Sequence, residues 1–398
     1  MKLSNLSFSV SVFLLSGLLS ACKSENYQFN IPSSPYPVSE DSFSLDTLAE
    51  GFTIPFGLAV VNEDEYFITD RLGDFFHYQQ GSLTKIKGTP KVTYFDDPGI
   101  AAIKHGGLMD VSLHPNYAQN GWIYMAFLAT SGHAKAVRLK VEGDKITELE
   151  ELFASRDQIY LGNGMRIVWQ DAQHFFLNVG GSAYSTRNNP VMLAQDFQMD
   201  AGKIHRLLED GGVPADNPIL PGLSSPTSIW SYGHRDAQGF HYEAASETFL
   251  AIEHGPKGGD EFNVILPGKN YGWPLFSYGL HYDNQEVSLI SEDSAAVISV
   301  LPEHQWTIGE GFGRHSIAPA CLLKVSGSNV SDWNGYFLLG SLAYRRLLKF
   351  NRSTGETFGL PIEGRVRTIQ QLPSGDILAL IERRNTMPAD GVLVRISN

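Results

Sequence analysis

One pattern occurs six times along this 398-residue chain. Each instance is an apolar run, a turn rich in Asp, Asn, Gly or Glu, and a second run richer in aromatic and β-branched residues. The pairs fall at residues 56–61 and 66–69, 108–113 and 122–127, 165–169 and 174–179, 239–242 and 248–252, 320–325 and 336–340, and 368–372 and 376–381. Short runs of this kind bounded by turn residues read as strands. Weaker third and fourth strands follow several pairs, as at 202–207 and 344–350. No long helical period interrupts them, and the 39 glycines supply the turns. One such unit cannot cover its own apolar faces, whereas units stacked radially can. The expectation is an all-β, six-bladed β-propeller. Six units across residues 45–398 leave about 59 residues each, more than the ~40–45 of the shortest propeller repeats. The loops are therefore decorated, and 277–315 reads as a long surface insertion.

Upstream of the repeats the chain reads as an address. Lys2 precedes an apolar run over residues 6–19, too short to span a bilayer comfortably, and the run ends in Leu19-Ser-Ala-Cys22. A cysteine at that place resembles a bacterial lipobox. Residues 1–21 are then a lipoprotein signal peptide, Cys22 is the lipidation site, and 22–44, with Pro32, Pro35, Pro37 and many serines, is a flexible tether. The domain proper is 45–398. The expected place is the bacterial cell envelope, facing the periplasm and held by lipid alone, with Lys23 favouring the outer membrane. Ordinary secretion with a chance cysteine is the bland alternative. With Cys22 lipidated, Cys321 is left without an intrachain partner and reads as a small core residue.

The net charge of −13 disfavours phosphate backbones, so nucleic acid is not an expected partner. In a hairpin, the start of the first strand and the end of the second share one edge. On that rim fall Asp70-Arg71, His105, Asn163-Gly164, Gly180-Gly181, Arg235-Asp236, Glu253-His254 and Ser341, with Arg365 and Arg367 entering from the same side. Converging arginines suit an anion bearing several carboxylates or phosphates. The bland alternative is a set of surface arginines paired with neighbouring acids.

Two long segments then carry a resemblance: Ile229-Trp-Ser-Tyr-Gly-His-Arg-Asp-Ala-Gln-Gly239 and Glu253-His-Gly-Pro-Lys-Gly-Gly-Asp-Glu-Phe-Asn263. Shorter ones at 106–117, 201–206, 268–274, 316–319 and 365–367 occur in the same order. Together they resemble the glucose/sorbosone dehydrogenase family, in particular aldose sugar dehydrogenases that use pyrroloquinoline quinone (PQQ). The resemblance implies a six-bladed propeller, PQQ and Ca²⁺ as cofactors, and a sugar oxidised at C1 to the lactone, with electrons passed to an acceptor that the sequence does not identify. It places Arg235 at the cofactor's reactive carbonyl, with Arg365, Arg367 and Tyr282 facing the cofactor and Asp236 where the family has Asn. It makes Gly255 and Pro256 the carbonyl ligands of a calcium bridging to PQQ. It gives Glu261, by side chain, and Tyr271, by backbone oxygen, a further calcium, an assignment that fits oxygen ligands; a structural blade contact is the alternative.

The catalytic half departs from the family. The family's base is a His four residues before an Arg, and here Gly162 stands four before Arg166. The acid that orients this His belongs to a Gly-Asp pair, and here the pair is Gly180-Gly181. Loss of a general base typically costs 10²–10⁴-fold in rate. His105 stands where the family has Gln; it is either a relocated base or a hydrogen-bonding replacement. Two readings follow: a PQQ- and calcium-dependent aldose dehydrogenase with an altered base, or a catalytically inactive propeller that binds a carbohydrate or protein ligand. A lactone hydrolase needs a carboxylate-rich axis, which the arginine rim opposes.

Overall fold

The computed structural model describes residues 35–96, 104–159, 164–181, 185–383 and 390–398. Cys22, the signal segment and Gly162 lie outside the described residues. Six four-stranded antiparallel sheets form a six-bladed β-propeller. The innermost strands are Pro55–Asn62, Leu108–Leu113, Ile167–Trp169, Ala237–Glu243, Pro319–Lys324 and Arg365–Gln371. Each pairs with the strand that follows it in sequence. The six repeats read from the sequence are these six inner pairs.

Neighbouring blades cover both faces of the inner pairs, so the second strand of each pair reads as a nearly continuous apolar run. Ile123–Leu128 and Ile377–Glu382 are buried along their whole length. The cores are the layers between blades. One such layer joins Phe67, Phe75, Val111, Met125 and Val137. Another joins Leu338, Leu347, Ile369 and Ala379 with Cys321, the small core residue the sequence suggested. Outer strands look different. Lys145–Gln158 is mostly exposed, and it pairs with His133–Glu142 through Arg138–Glu150 at 2.7 Å and Lys140–Glu148 at 3.1 Å. Exposed pairs of this kind contribute only ~0–1 kcal/mol each.

The ring closes through the chain's own start. Ser44–Phe52 pairs antiparallel with Gly391–Ser397 and is the fourth strand of the last blade. The proline- and serine-rich stretch before it also departs from the tether expectation over its last residues. Ser39 and Pro37 exchange backbone hydrogen bonds with Gly359 at 2.9 and 2.8 Å. Asp41 takes Lys349 Nζ at 2.5 Å and Trp333 Nε1 at 2.8 Å, and the Phe43 ring packs on Trp333. The insertion at 277–315 is likewise not only loop. It holds the helix Glu292–Ile298 and the strand His304–Trp306, which completes the fourth blade.

At the axis, inner strands approach so closely that one side chain reaches all of them. Arg166, one residue before the third inner strand, donates Nε to Gln238 O at 2.8 Å. Its Nη1 donates to Asp110 Oδ1 at 3.1 Å, Thr368 Oγ1 at 3.0 Å and Phe56 O at 3.3 Å. Its Nη2 donates to Ala320 O at 2.9 Å and Arg367 O at 2.8 Å. Every other blade thus contributes an acceptor, and the guanidinium lies over the Phe56 ring at 4.3 Å. The same convergence explains Gly340, where a Cβ would sit 2.1 Å from Val366 O. No helix among the described residues is long and apolar enough to cross a membrane.

Candidate active site

The turns leaving the inner pairs on one edge bring four arginines together. Arg71 follows the second strand of the first blade and is buried, its guanidinium over the Phe56 ring at 4.5 Å. Arg365 and Arg367 open the last inner strand and are also buried. Arg235, half-buried, precedes the fourth inner strand. Its Nη1 donates to His254 O and Gly255 O, both at 2.9 Å. Its Nε is buried without a hydrogen-bond partner. Glu253 fixes this turn by accepting Arg235 N at 2.9 Å and facing His234 Nδ1 at 3.2 Å.

Two carboxylates share the chamber. Glu382 accepts from Arg367 Nε at 3.1 Å and Nη2 at 2.8 Å, and its Oε2 lies 3.4 Å from Arg365 Nε. Against the effect of burial, Arg367, Arg365 and Arg71 hold the Glu382 carboxyl below its ordinary value. Burial, then the neighbouring Arg367, pushes Arg365 down to about 10, and Arg71 is lowered for the same two reasons. With Glu253 counted, four cations face three buried acids, which leaves a smaller positive excess, and the open Nε of Arg235 marks unused donor capacity. These features fit a polyanion with several carboxylates, as PQQ is.

Asp236 is the other acid. Its Oδ1 accepts Gly164 N at 2.6 Å, and its Oδ2 lies 3.6 Å from His254 Nδ1. Burial raises its carboxyl, while Arg235 and His105 oppose that rise. The extra charge is therefore countered within the protein. His105 sits in the short strand Lys104–Gly106, paired with Tyr94–Asp96, within electrostatic reach of Asp236. His254 is a second imidazole of the chamber. Burial first, then Arg235 and Arg367, push it down to about 3, so it is neutral at ordinary pH.

Not every expected role suits the geometry. Gly255 O already accepts from the Arg235 guanidinium, and Pro256 O accepts from Ser316 Oγ at 3.1 Å. A cation at Gly255 O would share that oxygen with the Arg235 guanidinium, whereas Pro256 O is shared only with a neutral hydroxyl, so calcium there would require Arg235 to turn away. Glu261 offers a better donor set. Burial and the nearby Glu253 push its carboxyl up to about 8, and Asn263, which donates to Glu261 at 3.0 Å, has a buried Oδ1 with no partner. The Tyr271 backbone belongs to the same region: Tyr271 N donates to Tyr232 O, its hydroxyl caps Val264 O, and its ring stacks on His234 at 4.5 Å. Among the described residues no group of three or more His, Cys, Asp or Glu could hold a metal, so any cation would need amide or carbonyl oxygens. Tyr282 is 39% exposed with its ring against His281. Its loop is tied to the 255–259 turn by the pairing of Leu280 with Lys257.

Gly181 donates its backbone N to Arg235 O at 2.7 Å. A Cβ on it would lie 2.4 Å from Gly202 Cα. An aspartate cannot enter there without backbone movement, so the orienting acid of the family cannot be regained by one substitution.

Glu382 was not singled out in the sequence, and Arg166 was marked there only as the end of a motif, with no axial role. Glu382 ends a second strand, the same position that flagged Asp70, Glu253 and Ser341. The edge rule therefore reaches it.

Residues 52–393 match the family model for glucose / sorbosone dehydrogenase. The chain belongs to the glucose/sorbosone dehydrogenase family. It is 30% identical over 369 residues to the uncharacterized protein slr1608 of Synechocystis sp., covering 88% of this chain and 85% of that protein. It is 25% identical over 326 residues to quinoprotein glucose dehydrogenase B of Acinetobacter calcoaceticus, covering 71% and 65%. The crystal structure of the soluble aldose sugar dehydrogenase of Escherichia coli in its apo-form superposes with a TM-score of 0.73 at 25% identity, over 89% of this chain and 99% of that one.

Proposed function

We propose that this family member is a PQQ-dependent aldose dehydrogenase whose proton acceptor is His105 rather than a residue at position 162. The observation that carries the reading is the convergence of four arginines on three buried carboxylates, with Arg235 Nε still open. Arg71, Arg235, Arg365 and Arg367 would hold the carboxylates and the quinone oxygens of the cofactor. Bound PQQ supplies a two-electron acceptor for the hydride from sugar C1. His105 would take the anomeric hydroxyl proton, and Asp236 would stabilise the resulting imidazolium, a role that Gly181 cannot fill. The product is the lactone, and an external acceptor reoxidises the cofactor. Reconstitution with PQQ and Ca²⁺ followed by aldose-dependent dye reduction tests this. Absence of turnover in protein shown to contain PQQ would leave the second reading, an inactive carbohydrate-binding propeller, which the Gly180-Gly181 pair favours.

The Glu261 region would hold calcium through the Glu261 carboxylate, Asn263 Oδ1 and the Tyr271 carbonyl. A ligand bound only by the folded state stabilises it by ~2.7 kcal/mol at a hundred times its Kd. Calcium should raise the melting temperature of the metal-stripped protein, and Glu261→Gln should abolish the rise. An equal rise in both proteins would remove Glu261 from the site. Attachment through lipid on Cys22 is part of the proposal; Cys22→Ser should move the protein from the membrane fraction to the soluble periplasm, and an unchanged distribution would refute it.

A further inference from the structure

Beside the arginine chamber the fourth-blade insertion walls an open pocket of about 790 Å³, within the ~300–1,000 Å³ usual for small-molecule sites. Phe276 and Tyr278 line it with rings nearly perpendicular, their centroids 4.9 Å apart. Arg187, Arg314, Glu286 and Glu310 line it as well. The two arginines are anchored by backbone oxygens. Arg187 Nε donates to Ser288 O at 2.6 Å, and Arg314 Nη1 donates to Tyr278 O at 2.9 Å. Arg187 Nη2 lies 3.9 Å from Glu286 Oε2, and the two guanidiniums and two carboxylates of the lining balance in charge, so it favours neither a cation nor an anion. A neutral polyhydroxylated molecule uses all of it: C–H faces against the rings, hydroxyls against the charged groups.

The position matters as much as the lining. Thr307, also in the pocket wall, accepts Gly259 N at 2.8 Å. Ser316 accepts Gly258 N at 3.1 Å. At the other end of the same turn, Gly255 O takes Arg235 Nη1. One turn of chain, residues 255–259, therefore separates this pocket from the chamber. Oxidation at C1 consumes only the unit with a free anomeric hydroxyl, so every other unit of a longer sugar has to leave the chamber and lie on a neighbouring surface.

We propose that this pocket is a subsite for the non-reacting units of a neutral oligosaccharide whose reducing end enters the arginine chamber. The proposal rests on the sugar-oxidation reading above. It is tested by calorimetric titration of the full mature chain with glucose, maltotetraose, cellotetraose and the borohydride-reduced tetraoses, which cannot react. At least one tetraose should bind roughly tenfold or more tighter than glucose, about 1.4 kcal/mol. Phe276→Ala and Arg187→Ala, both at a partly or fully exposed surface, should remove that advantage, leave glucose binding unchanged and keep the wild-type melting temperature. With PQQ loaded, the same variants should raise KM for the tetraose and not for glucose. Tetraoses that bind no tighter than glucose, or variants that bind them as the wild type does, overturn the proposal. Tetraose binding that depends on Phe276 in a protein that oxidises no sugar would sustain the subsite and sink the oxidation reading instead.

Discussion

Arg166→Met should lower the stability of the ring by about 3–5 kcal/mol, the cost of leaving one partner of a buried pair without the other. The substitution keeps the bulk of the stem and removes the fork. Asp110 then loses its cation at 3.1 Å, and the carbonyls of Phe56, Gln238, Ala320 and Arg367 lose their shared donor in a place water does not easily enter. Arg166→Lys should recover little, because a single ammonium cannot direct donors to five strands from one planar group. The urea midpoint reads the effect directly. A variant that unfolds at the wild-type midpoint would show that the blades hold together without an axial tie. Because Arg166 also fixes the carbonyl of Arg367, partial loosening would reach the cofactor chamber before the ring opens.

His105→Gln should reduce sugar turnover by roughly 10²–10⁴-fold while PQQ affinity and the KM for sugar change little, the range expected when a general base is removed. Glutamine can donate and accept hydrogen bonds but cannot hold the proton. The carboxylate that would steady the charged imidazole is Asp236, itself fixed by Gly164 N at 2.6 Å. His254 is the competing imidazole, but burial first, and then the surrounding arginines, disfavour its protonation. A rate that survives His105→Gln would move the proton to another acceptor, with His254 next in line by position. A rate lost together with PQQ binding would mean that His105 builds the chamber instead of serving the reaction.

How much of this was legible in the sequence follows from which strands are buried on both faces. The second strands of the inner pairs carry nearly unbroken apolar runs because blades cover them twice, and all six pairs were readable. Lys145–Gln158 was not, since its exposed glutamates match the cations of its neighbour and not the core. The closing strand Ser44–Phe52 was hidden for a similar reason: six of its nine positions are exposed and only Phe52 is buried, so residue 44 looked like the end of a tether. At the site, the edge rule and motif matching put Arg235, Arg365 and Arg367 on one rim, and in the structure all three act on His254. Neither could show that Arg235 occupies the Gly255 carbonyl, because a hydrogen bond across a turn leaves no spacing signal. The edge rule could have found Glu382, the acid that two of those arginines share. Position 181 could not be judged from sequence either, as its intolerance of a side chain depends on Gly202, which comes from a different strand connection.

The central claim is that the arginine chamber is a PQQ site, and an equilibrium titration of PQQ into the folded, calcium-supplied chain tests it most directly. The account predicts saturable one-to-one binding, weakened roughly 10- to 100-fold in Arg235→Ala through loss of a charge-assisted hydrogen bond of about 1.5–3 kcal/mol. No saturable binding to the wild type, or equal binding in a correctly folded Arg235→Ala variant, would contradict it.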